Sequence, residues 1–131
     1  MNKLLAIAAV VALTVSAHAA AAGLYSGRWP VTVTMSQHYN GAHCLVLIDD
    51  GSAGFPHSGS ASLTGTEGGV FQVIGRTLLV SLQVVGSGEE VATYVFSAPA
   101  RDGILGEGVW GYVQGDAADS GRAVFGNRGG C

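Results

Sequence analysis

From Gly27 to Ser36 apolar and polar positions alternate, with Trp29, Val31, Val33 and Met35 on one parity and Pro30, Thr32, Thr34 and Ser36 on the other. A period of two marks a strand with one buried face. Pro30 cannot donate to a ladder, so it must start the strand or face away from a neighbour. Asn40-Gly41 is a turn signal, because both residues tolerate positive φ. His43 to Asp49 returns as a strand that is apolar on both faces. It contains Cys44-Leu45-Val46-Leu47-Ile48, the most continuously apolar run outside the N-terminus.

Asp50-Gly51 ends that run, and 51–58 reads as a loop around Phe55-Pro56. Gly59–Gly65 is a strand almost without bulk. Glu67-Gly68-Gly69 turns into Val70–Ile74. Thr77–Val85 follows, with Leu78, Val80, Leu82 and Val84 on one face. Val91–Ser97 places Tyr94 and Phe96 opposite Thr93 and Val95. Pro99 to Asp102 reads as a loop, Gly103–Val113 as a strand, Gln114–Ser120 as a polar loop, and Gly121–Phe125 as a short last strand. No window after residue 22 shows a sustained i, i+3, i+4 apolar pattern.

Eight strands with short connections allow only antiparallel pairing. The spacing predicts an all-β fold, a single antiparallel up-and-down β-barrel of about eight short strands, with a two-sheet β-sandwich as the alternative. Residues 23–131 form one domain. Residues 1–22 read as a cleaved secretory signal peptide: Lys3, an apolar Leu4–Val15, then Ala17-His18-Ala19 as a cleavage site. The apolar stretch falls short of the roughly 20 residues of a spanning helix. The expected location is therefore the periplasm or the extracellular space, without stable membrane insertion.

Export permits a disulfide, and two cysteines allow one intramolecular pair, Cys44–Cys131. Strand count strains that pairing. In a strict meander Cys44 and the end of an eighth strand lie at opposite ends, and the five residues from Gly126 to Cys131 reach at most about 18 Å. Either the tail doubles back or a strand is miscounted.

Without Lys3, five scattered arginines face nine acidic residues, a net charge of −4. No basic stripe follows a phosphate backbone, so nucleic acid is not an expected partner. His38, His43 and His57, with Asp49 and Asp50 nearby, do not match a zinc-ligand spacing. No serine sits in an activated turn such as G-x-S-x-G. Asp49-Asp50 and Glu89-Glu90 are adjacent pairs that point to opposite faces, and both are read as solvated turn residues. Asp116 and Asp119 lack calcium-loop spacing. No cofactor, metal or catalytic set is expected.

The aromatic strand is the candidate site. Ile104, Gly106, Gly108, Trp110 and Tyr112 share one parity, and Glu107 on the other should avoid the core. Trp110 and Tyr112 then face inward. Either Phe96 or Phe71 fills the space beside them, or a cavity opens for an apolar or ring-bearing ligand. Gly27-Arg28-Trp29 also resembles the G-x-W opening of calycin barrels, the lipocalins and avidins. That resemblance implies a Trp across the bottom of an eight-stranded barrel whose mouth holds a small apolar ligand. The same superfold includes secreted bacterial inhibitors of metalloproteases.

The reading that follows is an exported, non-catalytic binding module for a small apolar ligand or a protein partner such as a protease. Trp110, Tyr112, Tyr94 and Trp29 are its expected binding residues. The alternatives are an envelope accessory assembling through the edge of the featureless Gly59–Gly65 strand, and a hydrolase with an unrecognised site.

Overall fold

The computed structural model describes residues 23–35, 41–63, 67–85 and 91–131. The proposed signal peptide, the Asn40 half of the first turn, His38 and the Glu89-Glu90 pair lie outside them. Every described element is a strand: β1 (Gly27–Met35), β2 (Gly41–Asp49), β3 (Ser58–Leu63), β4 (Glu67–Ile74), β5 (Thr77–Val85), β6 (Val91–Arg101), β7 (Ile104–Leu105), β8 (Gly108–Gln114) and β9 (Ala117–Phe125). Eight of them close into an antiparallel ring in the order β1-β2-β3-β4-β5-β6-β8-β9, with β9 pairing back onto β1. The two-residue β7 pairs with the end of β6 outside the ring.

Alternation along the strands sorts the side chains. Trp29, Val31, Val33, Leu45, Leu47, Phe71, Leu78, Val80, Leu82, Phe96 and Trp110 are buried inside. Thr32, Thr34, Ser60, Ser81 and Arg122 stand on the outer wall and are exposed. One end, here called basal, gathers the segment 23–26, the loops 50–57, 75–76 and 102–107, and the tail 126–131.

Four expectations about the elements need correction. Glu67-Gly68-Gly69 is strand and not turn, because β4 starts at Glu67 and pairs with β3 from there, while β2, apolar on both faces, points Leu45 and Leu47 in and leaves Ile48 outside and 53% exposed. Residues 99–101 are strand, because β6 runs on to Arg101 and pairs there with β7. The expected strand Gly103–Val113 is broken at Gly106, whose N–H turns to the Pro99 carbonyl. Its parity therefore flips, so that Leu105 is buried and Ile104 is exposed. Lastly, 117–120 is strand and not loop. The turn is the two residues Gly115-Asp116, with Gly115 at φ +56°, and β9 pairs with β8 from Ala117 onward.

Cys44 and Cys131 are bonded, with Cα atoms 5.9 Å apart. The tail does double back. Pro30 sits opposite Cys44 across β1–β2, and its carbonyl accepts from Gly126 N–H at the point where β9 leaves the sheet. Pro30 has no N–H to return on that side, so the ladder stops there. Residues 126–130 then turn over Pro30, with Gly129 N–H donating to the Arg28 carbonyl, and deliver Cys131 to the outer wall. Cys44 also lies mid-strand, one rung from Leu45, and not at the strand's start.

Candidate functional site

The expected binding residues occupy the barrel interior. Trp110 is 3% exposed, and its ring stacks between Tyr94 (centroids 6.0 Å apart, planes 11° apart) and Phe96 (6.3 Å, 25°). Tyr112 is half-buried, 5.1 Å from Tyr94, and its hydroxyl bonds the Gln114 side chain. Phe71 is fully buried on the same layer of the ring, two strands from Phe96. Offset ring stacks of this kind fill the centre of a small barrel with its own side chains. Trp29 is not in this group. It lies at the basal end and donates its indole N–H to the Tyr25 carbonyl at 2.9 Å.

The outer wall behind those rings carries the larger concave feature. Five strands pair in register along the row Phe71, Val80, Phe96, Trp110, Gly121, whose backbone forms the floor of a lane. Val70, Ser81, Val95, Gly111 and Ser120 flank one side, and Gln72, Leu79, Ser97, Val109 and Arg122 the other. The lane encloses about 660 Å³. Val70, Leu79, Val95 and Val109 are 42–58% exposed, so four large aliphatic groups face solvent along one track. The one charged group lining the lane is Arg122, ion-paired with Glu107 at the β9 end. Gly111 leaves the lane open next to Val95. A second depression of about 450 Å³ continues the apolar surface past Thr93, Val113 and Ala118.

The acids and histidines resolve differently. Asp49 is not a solvated turn residue. It ends β2 on the inward parity and is buried, and its carboxylate accepts from Tyr25 N–H (3.0 Å), Ser58 N–H (3.1 Å) and His57 Nδ1 (2.9 Å). A buried carboxylate needs such donors. Asp50 points the other way. The Ser52 side chain and backbone hydrogen-bond it and hold its carboxyl below the usual carboxylate range. His43 lies on the inward parity six residues before Asp49, so it and His57 sit toward opposite ends of the barrel. Among the described residues no three His, Cys, Asp or Glu side chains converge as a metal site. Ser58 spends its hydroxyl inside the loop, donating to the Phe55 carbonyl at 2.7 Å and accepting from Ala53 and Phe55 N–H.

Two structural residues escaped the sequence reading. Tyr25 precedes the first predicted strand, yet it is buried and joins the core. Arg128 comes from the Gly-rich tail. Its guanidinium lies 5.7 Å from the centroid of Trp29 and donates to the carbonyls of Leu24 (2.5 Å) and Ser26 (3.3 Å). Gly27 is free of a side chain where the Arg128 stem passes. No protein-family model, curated protein or solved structure matches the chain.

Proposed function

We propose that the protein is an exported binding module, acting without catalysis, that holds an elongated apolar small molecule in the outer lane. The observation that carries this reading is the run of half-exposed aliphatic side chains along a continuous lane of about 660 Å³. That volume falls in the range of about 300–1,000 Å³ typical of small-molecule sites. Five strands about 4.8 Å apart give the lane a length of roughly 19 Å, the reach of a long acyl chain. Contiguous exposed apolar surface of this kind marks a contact site.

The stacked rings of Tyr94, Phe96 and Trp110 favour the wall over the interior as the place of binding. Trp110 then contributes backbone to the lane floor and rigidity beneath it. The non-catalytic reading is supported by Ser58, whose hydroxyl is held within its own loop beside the Asp49–His57 pair. Export is supported by the Cys44–Cys131 bond, which suits an oxidising compartment. Trp29 lies at the basal end, where the calycin-type resemblance would place it, with the Arg128 guanidinium over its ring.

Displacement of an apolar fluorescent naphthylamine by palmitate tests the reading. The wild-type protein is expected to bind the dye saturably and release it to palmitate. Val95→Asp or Val109→Asp, on the solvent side of the wall, should weaken dye binding about tenfold or more, since a carboxylate would have to be desolvated beneath the ligand. Full dye affinity in both folded variants would sink the proposal.

A further inference from the structure

The basal end holds a third, chemically different concavity of about 350 Å³, formed by the segment before β1, the β4–β5 turn and the end of β6. Leu24, Val73 and Ala100 give it apolar surface, and Tyr25, His57, Arg76, Arg101 and Asp102 bring the polar groups. It does not overlap the outer lane.

His57 is fixed there with unusual care. Its Nδ1 faces Asp49, and an ionised carboxylate only accepts, so Nδ1 carries the hydrogen and the tautomer is set. The ring meets Tyr25 edge to face at 5.4 Å and 82°. The backbone is held as well, with the His57 carbonyl accepting from Val73 N–H at 2.8 Å. The imidazole side chain keeps 22% exposure and lines the cleft. A locked imidazole on a cleft wall is more order than packing of a loop requires.

Two guanidinium groups complete the arrangement. Arg76 and Ala100 are joined by a backbone hydrogen bond (2.9 Å), which brings Arg76 beside Arg101. Among the described residues no carboxylate pairs with Arg76. Arg101 contacts only its neighbour Asp102, at 3.5 Å, with both side chains mostly exposed. That contact is too solvated to neutralise the guanidinium. Guanidinium groups match the planar, bidentate geometry of carboxylate and phosphate oxygens.

We propose that the basal cleft is a binding site for a small oxyanion, a carboxylate or phosphate group, taken by the guanidinium groups of Arg76 and Arg101 beside the His57 ring. Arg76 supplies the unshared charge, and Arg101 approaches from the adjoining strand. His57 stands on the wall of the same cleft, held from behind by Asp49. Tyr25 and Asp102 are the other titratable groups lining it.

Titration of the disulfide-bonded protein with inorganic phosphate and, separately, with acetate, followed by the His57 ring signals in NMR spectra, tests this. The expected result is a saturable one-site response to at least one anion. Arg76→Gln, an exposed change that leaves the fold intact, should weaken it about tenfold, the loss of one charge-assisted pair. Arg28→Gln, an exposed arginine elsewhere at the basal end, should leave it unchanged. Whichever anion binds more tightly identifies the head group. No saturable response to either anion, or equal weakening by Arg28→Gln and Arg76→Gln, would overturn the assignment.

Discussion

Tyr25 shows how much a single side chain outside the strands can organise. Its N–H meets Asp49, its carbonyl receives the Trp29 indole, and its ring closes the basal core against His57. Burial pushes its phenol above the ordinary value of 10.0; a Gly103 backbone hydrogen bond opposes this, and the charges of Asp102 and Asp49 add to it. The folded protein therefore resists ionisation that the unfolded chain accepts. The stabilising contribution of Tyr25 is complete below about pH 10 and is lost as pH rises through the raised folded value. Urea midpoints measured from about pH 9 to about pH 11 should fall more steeply for the wild-type protein than for Tyr25→Phe. Parallel slopes would show that Tyr25 ionises as freely folded as unfolded. None of this was legible in Leu24-Tyr25-Ser26, which has no alternation to place it. Asp49 looked like half of an acidic turn, because adjacency hides which of two carboxylates falls on the inward parity. Arg128 was hidden for a different reason. Its contacts with Leu24 and Ser26 span 104 and 102 residues, and nothing local in a Gly-rich tail announces them.

At the scale of elements, strands with bulky alternation were readable and strands without it were not. β1, β5 and β6 declare their inward faces through Trp29-Val31-Val33, Leu78-Val80-Leu82 and Tyr94-Phe96. The first half of β9, Ala117-Ala118-Asp119-Ser120, has small and polar side chains, so its strand state comes from β8 across the turn and not from its own propensity. The sequence of Gly59–Gly65 suits an exposed edge, yet β3 is paired on both sides, by β2 and β4. Its lack of bulk instead admits Phe71, which faces Gly59 across the β3–β4 ladder. Neighbouring glycines in β4 separate these roles. A Cβ at Gly69 would run into the Ser81 carbonyl on β5, whereas one at Gly68 meets nothing within 4 Å. Gly69→Ala should therefore lower stability by about 2–4 kcal/mol, in the range of forced overpacking or backbone displacement. Gly68→Ala should stay within about 0.5 kcal/mol of the wild type or gain slightly, through a less flexible unfolded chain. Paired urea melts decide it, and equal losses would mean that β4 and β5 are not held this closely.

For the whole molecule the decisive pairing is β1 with β9, since every other contact in the ring joins strands close in sequence. Val31 meets Phe125 and Met35 meets Gly121, so closure brings together the two ends of the domain. The Cys44–Cys131 bond spans 87 residues and ties the tail beyond β9 to β2, on the far side of β1. It thus fixes β1 between its two neighbours, and it removes most of the loop entropy that ring closure would otherwise cost. Replacing both cysteines, Cys44→Ser with Cys131→Ser, should leave the ring intact and lower its stability by about 4 kcal/mol in the chain-entropy account. The same reasoning assigns the loss to folding more than to unfolding. A sheet of non-local pairings has its ends brought together before contacts reward it, and the bonded chain begins with them together. Trp29 and Trp110 are both buried, so stopped-flow tryptophan fluorescence reports closure directly. Refolding of the double variant should be at least about tenfold slower than that of the oxidised protein, with the unfolding rate changed much less. Equal refolding rates with faster unfolding would place β1–β9 closure after the rate-limiting step, and the bond would then act as a clasp on a finished barrel instead of a guide to building it.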